Sequence, residues 1–323
     1  MSEKAFQWCF IGTGKLAGGV AEQLTSTGRH QVRSVCSRRF EKAKEFAEKW
    51  GGEAYEDAAS AISAEGVDGV YIVTPHSSHY EMAKLALSLG KPVLCEKPFT
   101  MRAEEARDLF RIAMEKKVYL VEGMWTWFAP VANQVSKWVD EGEIGEITSV
   151  ETHFLVNVLN YAPRLTDPNL AGGALLDSGV YPLTYLYRLF GKPTDVKCVG
   201  NLQGGIDLSE EIELTFENGL KTNLSVAINA EKYDNHILIR GTKGEIYSEG
   251  INCSDKAELR RKDGETEIFR EPTTMINEFD KTAEEIRLGR IESVYVPAQA
   301  TIDVMEIMDE CRKQMNLVYP FEK

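Results

Sequence analysis

From Phe6 to about Glu122, short apolar runs alternate with stretches in which leucine, alanine, phenylalanine or methionine recurs every three or four residues. Apolar runs of strand length and a 3.6-residue period mark strands and helices respectively. Their alternation predicts βαβ units around a parallel sheet. The predicted strands are Phe6–Ile11, Gln31–Ser37, Asp68–Val73, Pro92–Glu96 and Val118–Glu122, and the predicted helices are Lys15–Ser26, Phe40–Trp50, Ser78–Leu89 and Ala103–Lys116. The segment Glu53–Ser63 has no clear period. Ser78 and Glu81 have capping-box spacing ahead of Met82, Leu85 and Leu89, which predicts a helix start there. With right-handed crossovers, such a sheet binds its ligands at the carboxyl ends of its strands.

After Gly123 the pattern changes. A helical period over Val131–Glu141 is followed by longer runs alternating every second residue. Ile212, Leu214 and Phe216 alternate with Glu211, Glu213 and Thr215, and Asn218-Gly219 leads into Leu220–Ile228 with the same period, a hairpin signal. Strands near Glu146–Asn157, Asp195–Leu202, His236–Gly241 and Glu245–Tyr247, with helices near Thr274–Leu288 and Pro297–Met315, complete the reading. The predicted fold class is α/β: a doubly wound parallel sheet over residues 1–123, and over residues 124–323 an α+β domain with a large, predominantly antiparallel open sheet.

Composition bounds this picture without redirecting it. A chain of 323 residues suits two domains. With 37 basic and 50 acidic residues the net charge is −13, which provides no general footprint for nucleic acid or an anionic membrane. Any anionic ligand therefore needs a local site. The six cysteines, at 9, 36, 95, 198, 253 and 311, are far apart, form no C-x-x-C and show no metal-ligand spacing with histidine, so no metal is expected. Several fall in predicted strands, consistent with buried, reduced thiols in a cytoplasmic protein. Residues 1–5 lack the apolar core of a signal peptide, and no uncharged run approaches a membrane span.

The chemistry concentrates at the predicted carboxyl edge of the first sheet. Gly12-Thr13-Gly14-Lys15-Leu16-Ala17 follows an apolar strand and opens a helix. Gly12 permits a tight turn, Gly14 lets backbone N–H groups approach a pyrophosphate, and Ala17 keeps the helix close to its strand. The second strand ends in Ser37-Arg38-Arg39, where an NAD-binding unit would carry an acidic residue for the ribose 2′-hydroxyl. A guanidinium there binds a 2′-phosphate in a bidentate manner, so NADP is expected over NAD. Thr74-Pro75-His76-Ser77-Ser78-His79 forms a turn at the same edge, where His76 and His79 fit better as turn and helix-start residues than as acid–base groups. Lys97, in Cys95-Glu96-Lys97-Pro98, emerges beside the expected nicotinamide position.

The combination of Gly12-Thr13-Gly14, Thr74-Pro75 followed by His79, Glu96-Lys97-Pro98, Glu122-Gly123-Met124-Trp125 and Gly172-Gly173-Ala174-Leu175-Leu176-Asp177-Ser178-Gly179-Val180-Tyr181-Pro182 resembles the glucose-fructose oxidoreductase and inositol dehydrogenase (Gfo/Idh/MocA) family. The last two segments look most like its branch of dimeric trans-dihydrodiol dehydrogenases and NADP-dependent D-xylose dehydrogenases. The resemblance implies cofactor contacts at Gly12, Thr13, Gly14, Lys15, Leu16, Ser37, Arg38, Thr74, Pro75, His79, Glu96 and Lys97. It also implies that Lys97 lies near the reacting hydroxyl, and that Asp177-Ser178-Gly179-Val180-Tyr181 matches a D-x-G-x-H motif with tyrosine in place of histidine. Trp127 departs from the branch, which often has arginine after Met-Trp-Thr. A homodimer through the open face of the second sheet is a further implication.

Oxidising a secondary alcohol requires a base within hydrogen-bond reach of its oxygen. Tyr181 suits that role if a nearby cation such as Lys97 stabilises its phenolate, with Asp177 holding the lysine or a substrate hydroxyl. Pro182 disfavours regular helix geometry at Tyr181, which predicts a kink. Trp125, Trp127 and Phe154 either wall the substrate pocket or pack in the core. The expected function is an NADP(H)-preferring dehydrogenase of a sugar, polyol or cyclic trans-diol. The alternatives are a catalytically silent NADP(H)-sensing regulator, against which the set Lys97, Asp177 and Tyr181 argues, and an NAD-dependent redox-neutral glycosidase, against which Arg38 argues. If Arg38 reads the 2′-phosphate, fluorescence titration will give a lower dissociation constant for NADPH than for NADH, and equal constants would refute the reading.

Overall fold

The computed structural model describes residues 4–322. In the first unit, β1 (Phe6–Ile11), α1 (Lys15–Ser26), β2 (His30–Cys36), α2 (Phe40–Trp50), β3 (Glu53–Tyr55), α3 (Ala58–Ser63), β4 (Gly69–Ile72), α4 (His79–Ser88), β5 (Val93–Glu96), α5 (Ala103–Lys116) and β6 (Leu120–Gly123) alternate as the hydrophobic pattern required. Their six strands form one parallel sheet in the order β3-β2-β1-β4-β5-β6. Both faces are covered, so β4 and β5 are buried at every position. The strand order reverses beside β1 and β4, the switch point where ligands bind in such sheets.

Local signals account for most boundaries, with two differences. The aperiodic segment 53–63 is the short edge strand β3 and the short helix α3, started by Asp57, whose carboxylate accepts the Ser60 N–H at 2.8 Å. Neither is long enough to show a period. The expected capping box at Ser78 is not formed: a 3-10 turn over His76–Ser78 runs into α4, and Ser78 makes no side-chain cap bond.

The second unit begins with a 3-10 turn over Trp125–Phe128 and α6 (Pro130–Asp140), followed by β7 (Ile147–Asn157). After a π-helical turn over Leu175–Gly179 come α7 (Val180–Phe190), β8 (Asp195–Gln203), β9 (Ile206–Thr215), β10 (Lys221–Ala227), β11 (Asn229–Gly241), β12 (Gly244–Glu249), β13 (Lys256–Arg261) and β14 (Thr266–Arg270). The eight strands are ordered β14-β13-β12-β11-β7-β10-β9-β8, antiparallel except for the central β7–β10 pair. The strands β13 and β14 were not anticipated, because charge at Lys256, Glu258, Arg260 and Arg261 hides their alternation.

The last two helices are α8 (Ile276–Arg287) and α9 (Ala298–Met315). The units are interleaved in the chain: residues up to Trp125 join Met275–Ala298, and Thr126–Thr274 join the residues from Gln299 onward. Residues 124–323 are therefore not one segment of the second unit, because α8 returns to the first. Phe279 of α8, fully buried, meets Trp8 edge-on at 5.1 Å and Tyr71 at 4.9 Å. Such burial stabilises by roughly 1.5–3 kcal/mol, and each aromatic pair adds about 0.5–1.5 kcal/mol. Asp280, one residue on, takes Arg29 at 2.8 Å and the ring of His30 at 2.8 Å.

Glu278, also on α8, is fully buried and neither carboxyl oxygen has a hydrogen-bond partner. Burial, then the charge of Glu96, pushes its pKa well above the ordinary carboxyl value. A raised folded-state pKa stabilises most below the unfolded value, and that contribution is lost as pH rises. The Glu278→Gln variant will therefore lose less thermal stability than the parent between about pH 5 and pH 8, as measured by melting curves; identical slopes would count against a buried acid.

Candidate active site

At the switch point Gly12 has φ of +117°, and a Cβ there would lie 2.5 Å from the Val73 carbonyl oxygen. Only glycine fits. Its N–H donates to the Cys36 oxygen at 2.9 Å, tying the turn to β2. Gly14 differs: it caps α1 in ordinary extended geometry (φ −71°, ψ 179°), and a Cβ there would meet nothing within 4 Å. The first turn of α1 has no acidic residue and no side-chain cap, so its N–H groups are available to an anion. Ala17 is fully buried, as close helix packing requires, whereas Thr13 is half-buried and Gly14, Lys15 and Leu16 are exposed around the turn. A cradle open in front of Gly14 and closed behind Gly12 fits a pyrophosphate.

Ser37 is half-buried just beyond β2, with Arg38 and Arg39 exposed after it. Neither arginine enters an ion pair among the described residues, whereas Lys42 pairs with Glu45 at 2.5 Å. Thr74 lies just beyond β4, beside the half-buried Pro75, and the Thr74 hydroxyl is buried without a hydrogen-bond partner. That unsatisfied group faces no internal acceptor, which fits a ligand at this edge.

His79 is fully buried and spans two loops, with Nδ1 2.9 Å from the Pro98 oxygen and Nε2 3.0 Å from the Thr74 oxygen. Glu96 is buried and accepts the Tyr71 hydroxyl at 2.6 Å. Burial, then the charges of Glu96 and Glu278, raise the Tyr71 pKa well above its usual value. The Phe99 N–H donates to Glu122 Oε1 at 3.2 Å. The side chains of His79 and Glu96 are thus committed inside the unit, holding the loop on which Lys97, half-buried, stands.

In the second unit, the Gly172-Gly173 turn is enforced twice. A Cβ on Gly172 would lie 2.5 Å from the Leu165 oxygen, and one on Gly173, at φ +118°, 1.9 Å from Asp207 Oδ1. Asp207 is fully buried and accepts the Leu175 N–H at 2.6 Å, opening the π turn that contains Asp177. Pro182 then sits in the first turn of α7, where its missing N–H is tolerated. The expected irregularity at Pro182 takes the form of this π turn.

Arg164 donates to Asp177 Oδ1 at 2.7 Å, the carboxylate being far less exposed than the guanidinium. Tyr181 is buried, its ring edge-on to Phe154 at 5.7 Å. Trp125 is half-buried. Trp127 is covered by the Arg188 guanidinium 5.2 Å from its ring centre, and Arg188 also donates to the Trp127 oxygen at 3.3 Å. Arg164, Arg188 and Asp207 escaped the sequence reading because none belongs to a glycine motif and each meets its partner, Asp177, Trp127 or Leu175, only through the fold. All six cysteines are free; five are buried and Cys253 is exposed. Burial pushes the Cys9 thiol up to about 12, so it is no nucleophile.

Residues 6–124 match the model of the oxidoreductase family with an NAD-binding Rossmann fold, and residues 132–247 match the Gfo/Idh/MocA C-terminal domain. The chain is 30% identical to a trans-1,2-dihydrobenzene-1,2-diol dehydrogenase of Mus musculus, covering 99% of each sequence. The chain belongs to the Gfo/Idh/MocA oxidoreductase family. Within it, a D-xylose 1-dehydrogenase (NADP(+)) of Hypocrea jecorina is 28% identical over 97% of this chain and 93% of its own. The solved structure of KijD10, a 3-ketoreductase from Actinomadura kijaniata in complex with NADP and TDP-benzene, is 26% identical with a TM-score of 0.85, covering 96% of this chain and 98% of that one.

The two glycines of the family's turn separate fold from binding. Gly14→Ala will melt close to the parent temperature but bind NADPH at least about tenfold more weakly, because its methyl occupies the open cradle. Gly12→Ala will lower the melting temperature, because its methyl collides with backbone. Melting curves and NADPH titration check both, and a Gly14→Ala variant with unchanged affinity would move the pyrophosphate elsewhere.

Proposed function

We propose that this chain is an NADP(H)-dependent oxidoreductase that interconverts a secondary alcohol or hemiacetal of a sugar, polyol or cyclic trans-diol with the corresponding carbonyl compound. The observation that carries the cofactor is Arg38, exposed just beyond β2 and outside any ion pair among the described residues, together with the open turn at Gly14. Gly12 to Leu16 hold the pyrophosphate, Ser37 and Arg38 the ribose phosphate, and Thr74 and Pro75 line the same edge. His79 and Glu96 are positioning residues: they fix the loop of Lys97 through Pro98 and Tyr71. Relatives named for diol and NADP-dependent xylose dehydrogenation support the substrate class, as does an NADP-dependent scyllo-inositol 2-dehydrogenase of Bacillus subtilis, 29% identical over 98% of this chain and 99% of its own.

When bound, the nicotinamide supplies the hydride acceptor or donor. The protein's part is to move the hydroxyl proton and stabilise charge on that oxygen. Tyr181 exchanges the proton at its phenolic oxygen, and burial against Phe154 fixes the ring's direction. Lys97 donates to the reacting oxygen. Asp177, oriented by Arg164, accepts from a substrate hydroxyl. Trp125, Trp127 and Phe154 form apolar wall for the carbon skeleton, the Trp127 ring being held flat by Arg188. Every second residue along much of β7 and β9 is at least partly exposed, which supports a homodimer across that face, and the five buried free thiols support a cytoplasmic setting.

The test follows NADP reduction with aldoses, inositols and cyclic trans-diols, with NAD in parallel. Activity with at least one class and preference for NADP are expected; tight NADPH binding with no turnover on any class would favour a regulator. Tyr181→Phe keeps the ring against Phe154 while removing the hydroxyl. Its turnover will fall roughly 100-fold or more with NADPH binding intact, and undiminished turnover would remove Tyr181 from the mechanism.

A further inference from the structure

The face of the second unit's sheet opposite Val150, Thr152 and Phe154 carries charged side chains among apolar ones such as Leu155 and Leu238. Period two along β7 and β11 puts Glu151, His153, Asp234 and His236 on it. The antiparallel register places His153 directly opposite His236, their rings 4.8 Å apart, with Asp234 two residues along on β11. Asp234 arrives there through a register shift between Asn229 and Asp234 that reinstates pairing next to the two histidines.

Both imidazoles converge on one carboxylate: His153 Nδ1 is 2.7 Å from Asp234 Oδ2, and His236 Nδ1 is 2.6 Å from Asp234 Oδ1. Glu151 Oε1 stands 3.9 Å from His236 Nε2, and its other oxygen takes Arg240 at 3.2 Å. Elsewhere on this face Glu213, Glu245 and Glu258 are paired with lysine or arginine. Asp234 has only the two imidazoles among the described residues.

We infer that His153, His236 and Asp234 form a site for one divalent cation of the zinc class, with Glu151 or solvent completing the coordination. One ligand atom from each of the three residues lies within 4.8 Å of the others. Tetrahedral zinc, with ligand bonds of about 2.0–2.2 Å, places donors roughly 3.3 Å apart. Small side-chain rotations close that gap. Two imidazole nitrogens and a carboxylate oxygen select Zn2+, Co2+ or Ni2+ over Mg2+ and Ca2+, which take oxygen sets. An ion here clips β7 to β11 on the side opposite Phe154, the neighbour of His153 that packs on Tyr181. Asp234 and His236 are two positions apart, but His153 lies 81 and 83 positions before them, so local spacing does not reveal the set.

The full-length chain, stripped with chelator, is titrated with Co2+ and then Zn2+ by calorimetry and visible absorption. The expected result is one ion per chain at micromolar or tighter affinity, intense tetrahedral Co2+ bands displaced by Zn2+, and a rise in melting temperature that EDTA reverses. In the Co2+ protein, two paramagnetically shifted imidazole N–H signals are expected. His153→Gln, His236→Gln and the near-isosteric Asp234→Asn will each weaken binding at least about tenfold, whereas Glu258→Gln will not. No saturable binding below millimolar, one ion per two chains, absence of the shifted signals in the parent protein, or parental affinity in the histidine variants would each overturn the assignment.

Discussion

The first unit depends on a single close approach: the backbone of Gly12 passes the Val73 carbonyl where a Cβ would stand 2.5 Å from that oxygen. Because β1 and β4 are neighbours at the point where strand order reverses, this contact brings the turn after β1 against the loop after β4. The α1 N-terminus is left facing outward with its first-turn amides uncapped. The space in front of the turn stays open, since a Cβ on Gly14 would meet nothing within 4 Å.

Behind that edge, the unit is built around polar groups that are costly to bury. Glu96, Tyr71, Glu122, His79 and Glu278 are all buried. Tyr71 satisfies Glu96, the Phe99 N–H satisfies Glu122, and His79 reaches two backbone carbonyls. Glu278 has no such partner and sits near the charge of Glu96. Replacing such groups by packed hydrocarbon is often neutral or stabilising. Of these, His79 through the Pro98 oxygen and Glu122 through the Phe99 N–H hold the loop that carries Lys97.

The second unit solves a related problem by another device. Asp207 occupies the space a side chain on Gly173 would fill and takes the Leu175 N–H, so the chain enters α7 through a π turn. This turn carries Asp177 to Arg164 while Tyr181 is set against Phe154. Pro182 is tolerated because it falls within the first turn of the new helix. The opposite face of the same sheet gathers residues from β7 and β11 into the His153, Asp234 and His236 cluster.

Local pattern alone was enough for α1, α2 and α5, whose periods run for three or four turns, and for the glycine turn, whose residues are adjacent in the chain. Lys97, Asp177 and Tyr181 were singled out by motifs, since each lies beside residues that fix its backbone. Short elements such as β3 and α3, and the charged strands β13 and β14, were not, because a period needs length or contrast to be seen. Nor were Arg164, Arg188 and Asp207, whose partners Asp177, Trp127 and Leu175 lie 13, 61 and 32 positions away, nor the burial of Glu278, nor the histidine cluster, in which His153 meets Asp234 across 81 positions. The return of α8 to the first unit belongs with these: its apolar face is evident in sequence, but only the aromatic cluster of Trp8, Tyr71 and Phe279 decides which core it joins. Sequence determined what could be specified by neighbours along the chain; tertiary structure decided which buried groups share a site, because that depends on strand order and register.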